Sequence, residues 1–324
     1  MAVRKWRARA FAKINLGLKI AGRRADGYHE LRTVFQTIAL ADDVAMSVAP
    51  GRGVGLVVSG LEAPGGRENL AYQAAETAAA AFGVRGRIEL RLTKRIPSEA
   101  GLGGGSSDAA SVLRMMALAA PTPPRAAAVL ALARELGADV PAFLVGGTVL
   151  GLGRGDEVYP LPELGQWPCV VAMPRAGAGQ AVATPEAFAR WDAGHDGGLT
   201  ASGGSDTLVE FCSLVCQVLP AFRFERNRGL PPETARRSKV HAGIENDFQC
   251  GVFSLSPDFP RIHQQLCRAG ARWVSLSGSG AAQYGLFARA GQAQAAAERL
   301  RREHRCWRTR FVSRRECGNA VRKA

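Results

Sequence analysis

The segment that decides the fold is residues 97–110, which read PSEAGLGGGSSDAA. It follows a predicted strand over residues 88–92, in which apolar and polar side chains alternate, and it leads into a helix predicted over residues 107–120. Glycines permit positive φ and close approach of backbone N–H groups, and a helix start adds unpaired N–H groups and the positive end of its dipole. A flexible loop with Ser106 as a helix cap is the alternative. Because four glycines and two serines within seven residues exceed what a turn needs, the segment favours a phosphate-binding loop.

Three better-known phosphate-binding patterns do not fit this loop. A P-loop requires Gly-Lys-Ser/Thr after its glycines, and none follows here. The spacing Gly101-x-Gly103-x-x-Ser106 lacks the third glycine of a dinucleotide fingerprint and does not stand at the start of a first βαβ unit. The chain also contains neither His-Arg-Asp nor Asp-Phe-Gly, which excludes the protein-kinase pattern.

Outward from the loop, consecutive strands mix with helices, which predicts an α+β fold. The first half is expected to hold a helix capped by Asn69 and ending at Gly83, a helix over 125–136, and strands over 14–20, 34–40, 44–48, 55–58 and 143–152. In the second half, the predicted helices cover 258–269 and 292–303, and the predicted strands cover 272–277 and 282–287. Residues 194–206 and 223–239 are rich in Gly, Ser, Arg and Pro and predict exposed loops.

Five segments resemble one kinase superfamily. Residues 97–107 resemble the phosphate loop of the galactokinase, homoserine kinase, mevalonate kinase and phosphomevalonate kinase (GHMP) superfamily, and SGSGA at 277–281 resembles its C-terminal glycine motif. Three segments are similar to a narrower family, the 4-diphosphocytidyl-2-C-methyl-D-erythritol kinases of the non-mevalonate isoprenoid pathway: AKINL at 12–16, RADGYHEL at 24–31 and LGADVP at 136–141. The resemblance implies the two-domain GHMP kinase fold, with an N-terminal domain like ribosomal protein S5 domain 2 and a ferredoxin-like C-terminal domain.

The resemblance also implies a division of the chain. Residues 1–155 would form the nucleotide-binding N-terminal domain, and residues 156–312 the substrate-binding C-terminal domain. In this superfamily the last segment, here 288–312, often returns to the first domain. Residues 313–324 match nothing in the family and are expected to be a basic tail.

The implied chemistry is transfer of the γ-phosphoryl group of ATP to a hydroxyl group, which depends mostly on positioning and charge stabilisation. Asp139 would take the hydroxyl proton, while Lys13 would keep Asp139 ionised and stabilise charge on the transferred group. The alternatives are an Asx turn or helix cap for Asp139 and a solvated strand face for Lys13. Near its adenine, ATP would contact Asn69 and Lys94; the alternatives are a helix cap for Asn69 and a surface lysine for Lys94. ATP would also contact the loop, through Pro97, Ser98, Glu99, Ala100, Gly101, Leu102, Gly103, Gly104, Gly105, Ser106 and Ser107.

The substrate that the resemblance implies is a cytidine diphosphate alcohol, 4-diphosphocytidyl-2-C-methyl-D-erythritol, phosphorylated on its 2-hydroxyl group. Tyr28 would stack on the cytosine, a contact worth about 1–3 kcal/mol in nucleic-acid binders, and His29 would bind the edge of the base. Phe188 aligns with a family aromatic on the other face, Thr184 with a neighbouring polar contact, and Asn15 would also bind substrate. The alternatives are that Tyr28 is an aromatic residue of a turn, that His29 is a surface histidine and that Phe188 is a core residue.

The expected cofactors are ATP and, with the nucleotide, Mg²⁺, because the ion neutralises phosphate charge. No dense carboxylate cluster predicts a metal site of the protein itself. The family often has Gly-Gly at positions 99–100, where this chain has Glu-Ala, so Glu99 brings a negative charge toward the expected phosphates. A GHMP kinase for another small alcohol and a non-catalytic homologue are the other enzyme-like interpretations.

The charge of the chain is concentrated at its ends. The 324 residues carry a formal net charge of +14, most of it within residues 1–9 and 289–324. A nucleic-acid-binding protein that uses these ends is the alternative from another class. Solvated basic tails are the commoner case, so we expect a small-molecule substrate, no nucleic-acid partner, and a monomer or weak homodimer.

Membrane insertion and secretion are not expected. The longest apolar run, residues 140–153, is shorter than the ~20 residues of a spanning helix, and no apolar stretch of a signal peptide follows the basic N-terminus. The seven cysteines are odd in number and include no Cys-x-x-Cys pair. Since this pattern fits neither a zinc site nor a disulfide framework, it predicts a cytoplasmic protein with reduced thiols.

Overall fold

The computed structural model describes residues 3–175, 183–194 and 246–324. The predicted loops 194–206 and 223–239 lie outside these ranges, apart from Gly194. A first set of elements runs to residue 160 and includes a short 3₁₀ helix, Gly66–Glu68. The set comprises β1 (Arg4–Arg23), β2 (His29–Ala49), β3 (Val54–Gly60), α1 (Leu70–Phe82), β4 (Arg87–Lys94), α2 (Gly104–Ala119), α3 (Ala126–Leu136), α4 (Val140–Val145), β5 (Thr148–Leu152) and β6 (Glu157–Pro160).

The second set completes the described chain with four strands, five helices and a short edge strand. It comprises β7 (Pro168–Met173), α5 (Thr184–Gly194), α6 (Gln249–Phe253), α7 (Asp258–Arg268), β8 (Trp273–Leu276), β9 (Gln283–Leu286), α8 (Ala290–Leu300), β10 (Arg305–Arg310), α9 (Arg314–Gly318) and β11 (Val321–Lys323).

Strands from both ends of the chain build the larger sheet. Its order is β11-β1-β2-β4-β3, and β5 pairs with another part of β2 and with β6. All pairs are antiparallel except β3 with β4. The prediction of separate strands over 34–40 and 44–48 is wrong, because β2 continues through Asp42, which pairs with Ala10 of β1.

The smaller sheet is antiparallel and has the order β10-β7-β9-β8. With α7 before β8 and α8 between β9 and β10, the chain follows the β-α-β-β-α-β order of a ferredoxin-like unit. This confirms the predicted fold of the second half. Most of the segment 288–312 stays with this sheet, since β10 pairs with β7 from Arg305 to Arg310. Its last residues return to the larger sheet, where Phe311 bridges Ile38 and the Val312 N–H donates to the Thr37 carbonyl.

One apolar core crosses from the first sheet to the second. A single cluster of buried side chains contains Ile14 of β1, Leu102 of the glycine loop and Trp273 and Tyr284 of the smaller sheet. The buried Tyr284 hydroxyl group donates a hydrogen bond of 2.9 Å to the carbonyl of Asn15. The glycine loop therefore lies at the junction of the two sheets, where both fix its position.

The predicted buried strand over residues 143–152 begins five residues too early. Residues Val140–Val145 form α4, with Pro141 in its first turn, where the missing N–H of proline costs no hydrogen bond. Gly146 and Gly147, both with φ near +71°, then turn the chain into β5. This helix matters for the site, because Asp139 immediately precedes it.

Residues 313–324 are an ordered part of the larger sheet, so the expectation of a basic tail is wrong. The α9 helix buries Cys317 against Phe11, Ala41 and Val312. The β11 strand then pairs with β1, with Arg322 opposite Arg7. The segment is held because it covers an apolar patch of β1 and β2 that would otherwise face water.

Among the described cysteines, Cys169, Cys250, Cys306 and Cys317 are free thiols. None of the helices in the described ranges combines the length and the apolar character that crossing a bilayer demands.

We expect removal of residues 313–324 to lower the free energy of unfolding by at least about 2 kcal/mol, since burying one apolar side chain is worth about 1.5–3 kcal/mol. Urea denaturation of the shortened chain measures the loss. The double variant Arg315→Gln/Lys323→Gln is the control, because it removes charge but keeps α9 and β11, and it should stay within about 0.5 kcal/mol of the parent. Equal stability of the shortened and parent chains would contradict a structural role for the segment.

Candidate active site

Two glycine segments far apart in the sequence meet through their backbones. A Cβ atom on Gly101 would lie 1.9 Å from the carbonyl oxygen of Ser277, and one on Gly280 would lie 2.8 Å from the carbonyl oxygen of Glu99. The Ser277 hydroxyl group donates to the Gly101 carbonyl over 2.8 Å, and the Ala282 N–H donates to the Ala100 carbonyl over 3.1 Å. Only glycine fits at positions 101 and 280, so the two motifs form one site.

The α2 helix starts inside the glycine loop, three residues earlier than predicted. Its N-cap is Gly103 with φ +68°, not Ser106, and a Cβ at Gly103 would lie 2.7 Å from the Phe143 ring. The first helical hydrogen bond runs from the Ser107 N–H to the Gly103 carbonyl, which leaves the amides of residues 104–106 outside the helical ladder. These amides and the helix dipole form a cradle for an anion.

Lys13 and Asp139 meet beside this cradle. The Lys13 Nζ lies 3.3 Å from Asp139 Oδ2, and a Cβ on Gly103 would be 3.3 Å from the Lys13 Cε. Lys13 is 5% exposed, so the alternative of a solvated strand face is wrong. Asp139 precedes α4 but makes no side-chain cap hydrogen bond, which leaves its carboxylate to Lys13 and the open side of the site.

Asn15 is also buried and orients the lysine. Its Oδ1 accepts a hydrogen bond of 2.7 Å from Lys13 Nζ, and its Nδ2 donates over 2.8 Å to the Thr33 hydroxyl group. Thr33 in turn donates to the Gly17 carbonyl. Asn15 therefore connects Lys13 to the pairing of β1 with β2 and is held in one orientation.

A second buried lysine anchors the start of the loop. Lys94 Nζ lies 2.5 Å from Asp42 Oδ2 and 2.6 Å from Asp108 Oδ2, and all three side chains are at most 4% exposed. Asp42 Oδ1 also accepts hydrogen bonds from the N–H groups of Arg95 and Ile96. The alternative of a surface lysine is wrong, and the Lys94 side chain faces two carboxylates rather than an open groove.

Burial and charge oppose each other within this triad. Burial raises the pKa of the Asp108 carboxyl to about 7 in spite of the adjacent ammonium group. Burial alone would lower the pKa of Lys94, but the Asp108 and Asp42 carboxylates raise it above its ordinary value. Lys94 is therefore held in its charged form, and the triad joins β2, the end of β4 and the N-terminal part of α2.

Asn69 lies at the start of α1 as a helix cap. Its Oδ1 accepts from the Ala71 N–H over 2.9 Å, and its Nδ2 donates to the Pro64 carbonyl. Each polar end of the side chain thus makes one hydrogen bond, as the helix-cap alternative expects. The contacts of Asn69 and Lys94 with adenine stay a prediction.

At the other end of the site, His29 packs among aromatic rings. Its ring lies 4.3 Å from that of Phe188 and is nearly parallel to it, and Trp191 meets it edge-on. His29 Nε2 is 2.7 Å from Asp192 Oδ1. Phe188 therefore covers His29 in this structure, and the predicted role of Phe188 on one face of the base is not supported by its position.

Tyr28 and Thr184 are placed where a ligand can reach them. Tyr28 is 56% exposed, and the Arg154 guanidinium carbon lies 5.1 Å from the centre of its ring. The Thr184 hydroxyl group lies 2.9 Å from that of Ser279 in the C-terminal glycine motif. An exposed ring at one end and a hydroxyl group beside the glycine motif at the other are compatible with the predicted substrate contacts.

Several residues of the site were missed by the sequence analysis. Asp42 and Thr33 sit in the middle of β2, where nothing in the local pattern distinguishes them, and Asp192 lies in α5 without a motif of its own. Asn246 donates to the carbonyls of Leu276 and Gly278, and so supports the C-terminal glycine turn. Asp108 was inside the quoted segment and could have been singled out as a charge at a helix start.

Glu99 has the only positive φ among the non-glycine residues of the described ranges, +54°. This left-handed conformation costs an ordinary residue about 1–2 kcal/mol. It explains why the family often has glycine here. The side chain is exposed, so its charge remains near the mouth of the cradle.

Comparison with known proteins agrees with this geometry. The chain matches the family model "GHMP kinases N terminal domain" over residues 69–147 and "GHMP kinases C terminal" over residues 233–306. A 4-diphosphocytidyl-2-C-methyl-D-erythritol kinase of Solibacter usitatus is 39% identical over 279 residues, which cover 86% of this chain and 80% of the relative. One of Thermus thermophilus is 40% identical over 298 residues, covering 91% and 93%. A crystal structure of 4-(cytidine 5'-diphospho)-2C-methyl-D-erythritol kinase superposes with a TM-score of 0.73 at 34% identity, covering 95% of this chain and 99% of that one.

The fold and the paired glycine segments define the class as GHMP kinase, which confirms the predicted fold. Within that class, the chain belongs to the family of 4-diphosphocytidyl-2-C-methyl-D-erythritol kinases.

We expect Lys94→Met to lower the free energy of unfolding by about 3–5 kcal/mol, because it leaves two carboxylates buried without their cation. Urea denaturation measures the change. Lys19→Met is the matched control, since Lys19 forms a 2.8 Å ion pair with Asp247 that is partly exposed, and it should cost about 1 kcal/mol or less. Similar losses in both variants would rule out a special role for the triad.

Glu99→Gly should relieve the backbone strain at φ +54° and remove a charge near the expected phosphates. We expect the free energy of unfolding to rise by up to about 1 kcal/mol, since the added freedom of glycine in the unfolded chain offsets part of the gain. The KM for ATP should fall about two- to fivefold. Glu99→Gln separates the two effects, because it removes the charge alone and should change only KM.

Proposed function

We propose that this protein transfers the γ-phosphoryl group of ATP to the 2-hydroxyl group of 4-diphosphocytidyl-2-C-methyl-D-erythritol, as a step of the non-mevalonate isoprenoid pathway. The observation that carries the proposal is the pair of Lys13 and Asp139, 3.3 Å apart beside the N-terminus of α2. An anion cradle, a buried cation and a partly exposed carboxylate are what phosphoryl transfer to a hydroxyl group needs in one place.

In the proposed mechanism, Asp139 accepts the proton of the substrate hydroxyl group. Its side chain is one-third exposed, so a substrate can approach it, and the Lys13 ammonium group lies 3.3 Å from its carboxylate. The ammonium group of Lys13 also faces the charge that develops on the transferred phosphoryl group. Asn15 keeps that ammonium group in place through its 2.7 Å hydrogen bond.

ATP would bind with its phosphates at the amides of residues 104–106 and along the glycine segment 99–103. The positive φ angles of Gly101 and Gly103, +74° and +68°, turn the backbone so that it can follow a phosphate chain. The two glycine segments approach so closely that a side chain at Gly101 or Gly280 would collide with the backbone of the other segment. The unpaired amides at the start of α2, an observation independent of sequence likeness, support a nucleotide at this loop.

Mg²⁺ would be carried chiefly by the phosphates of the nucleotide. In the described ranges, no group of three or more His, Cys, Asp or Glu side chains is arranged to hold a metal ion. Mg²⁺ commonly binds through substrate phosphates, waters and one or two carboxylates, and Asp139 is a partly exposed carboxylate of the site. The ion would neutralise phosphate charge.

For the alcohol, the relatives named 4-diphosphocytidyl-2-C-methyl-D-erythritol kinase support a cytidine diphosphate substrate. The exposed Tyr28 ring offers a surface on which a base can stack. The Arg24–Glu30 ion pair of 2.7 Å and the hydrogen bond of Leu31 to Gly153 hold the 24–31 turn against β5. We propose that this turn is the nucleobase end of the substrate site.

The site is proposed to work in the cytoplasm, in a monomer or weak homodimer. The free thiols of Cys169, Cys250, Cys306 and Cys317 are compatible with a reducing compartment. Small molecules are the proposed partners.

Turnover on a panel of alcohols tests the substrate. ADP release is followed with 4-diphosphocytidyl-2-C-methyl-D-erythritol, mevalonate, homoserine and galactose under the same conditions. We expect kcat/KM for the cytidine compound to exceed that for the others by at least about 10³-fold, the scale of recognition by buried hydrogen-bonding groups. Turnover of a different alcohol at a similar rate would overturn the substrate, and no turnover of any would overturn the kinase activity.

We expect Asp139→Asn to lower kcat by about 10²-fold or more, because the amide cannot accept the proton. ATP affinity, measured by calorimetry, should change less than about threefold, since Asp139 does not line the amide cradle. Asp247→Asn is the control, because it breaks a comparable lysine–carboxylate pair, Lys19–Asp247, away from the loop. An unchanged kcat for Asp139→Asn would remove Asp139 from the mechanism.

A further inference from the structure

Pairing of the two chain ends collects arginines on one face of the larger sheet. Arg322 of β11 lies opposite Arg7 of β1, Arg7 lies opposite Ala45 of β2, and Ala45 lies opposite Arg91 of β4. Directly opposed residues in a sheet share a face, and neighbouring strands are roughly 4.8 Å apart. Three arginines therefore stand in one row, two of them as immediate neighbours of like charge.

This row forms part of a concave groove of about 910 Å³. Five arginines line it, namely Arg7, Arg9, Arg91, Arg315 and Arg322, and its floor is partly apolar. The segment that begins at Ser313 forms one wall, and the strands form the floor. The groove exists because α9 and β11 fold back onto the sheet.

Acidic residues do not neutralise most of these arginines. The lining contains two carboxylates, Asp43 and Glu316, and each pairs with an arginine that lies outside the lining. Asp43 pairs over 2.6 Å with Arg95, and Glu316 pairs with Arg310. The Arg310 hydrogen bonds lower the pKa of Glu316. Of the carboxylates in the described ranges, none lies within 4.0 Å of the guanidinium groups of Arg7, Arg91, Arg315 or Arg322.

This arrangement is costly without a ligand. Like charges directly opposite each other on two strands destabilise a sheet, and Arg7 and Arg322 are such a pair. An anion between them would remove the repulsion and satisfy both guanidinium forks. Arginine in particular favours carboxylates and phosphates, because its planar fork binds two oxygens at once.

We propose that this groove is a second anion site, which binds a small molecule that carries two or more phosphate groups. Its volume lies within the range of small-molecule sites, about 300–1,000 Å³. Several arginines spread over a row match several phosphates better than a single one. The apolar part of the floor, which includes Ala45 and Ala320, would face the rest of the ligand.

A nucleic-acid strand fits this groove less well. Proteins that bind single strands add aromatic rings on which bases stack. Phe11 is the single aromatic side chain of the lining, and it is 6% exposed, with the Arg9 guanidinium over its ring. The groove is also bounded by the wall at residues 313–320, whereas a strand needs a continuous track.

The groove is separate from the glycine loop but connected to it through one residue. Phe11 lines the groove, and its carbonyl accepts a 2.6 Å hydrogen bond from the Ser107 hydroxyl group. A phosphate probe could therefore bind at either place. The test must block the active site before it measures the groove.

Calorimetry with inorganic tripolyphosphate tests the proposal. The active site is first saturated with a non-hydrolysable ATP analogue and Mg²⁺, and the titration is carried out at about 0.1 M ionic strength. We expect one site per chain and an affinity for orthophosphate at least about tenfold weaker. Arg7→Gln/Arg322→Gln should weaken tripolyphosphate binding about tenfold or more without lowering Tm or kinase turnover. Arg52→Gln/Arg289→Gln, which removes the same charge from exposed positions outside the groove, should change affinity less than about twofold.

Four outcomes would overturn the proposal. The first is that tripolyphosphate does not bind the parent protein, and the second is that both double variants weaken its binding equally. The third is that orthophosphate binds as tightly as tripolyphosphate. The fourth is that a 20-nucleotide single-stranded RNA binds and tripolyphosphate does not displace it. The last result would instead make the arginine row a nucleic-acid surface. Each of these readouts is independent of the substrate that the kinase uses, so failure here leaves the proposed activity untouched.

Discussion

The buried ammonium group of Lys94 fixes the point from which the glycine loop begins. It holds Asp42 of β2 and Asp108 of α2 within 2.6 Å, and Asp42 also binds the N–H groups of Arg95 and Ile96. The last residue of β4 and the fifth residue of α2 are thereby tied to the same strand. Since the anion cradle consists of amides between these two ties, its geometry depends on this buried charge cluster.

Contact between backbones is the second constraint. Gly101 and Gly280 lie so close to the opposite segment that neither tolerates a side chain, and the Lys13 N–H donates to the Leu102 carbonyl. The loop is therefore held by the larger sheet on one side and by the turn after β8 on the other. A shared core with Ile14 and Tyr284 has the same effect on a larger scale. The two sheets thus hold the cradle in one geometry before a ligand binds, which lowers the cost of binding it.

Local patterns were sufficient for many of the elements, but not for what long-range pairing decides. The cap at Asn69 and the stop at Gly83 follow from short-range signals, whereas the ferredoxin-like order of the second half was expected from the family resemblance. Period-2 alternation could not reveal that both faces of β1 near Lys13 are buried, because that depends on the glycine loop and α2, which pack against β1. Nor could the charge of residues 313–324 reveal β11, since its stability comes from pairing with β1 and from covering Phe11.

The same strand explains why the protein has two kinds of anion-binding surface. Upstream of Phe11, the odd-numbered side chains of β1 are exposed and include Arg7 and Arg9, whereas downstream they include the buried Lys13. The pairing register of β1 with β2 shifts between Phe11 and Ala12, and such irregularities re-aim side chains. In the buried half, backbone amides and one lysine provide the positive potential, so the nucleotide site needs little net charge. In the exposed half, solvent screens each guanidinium group, so that only several of them together can hold an anion. The charge of the chain ends is therefore collected there rather than dispersed.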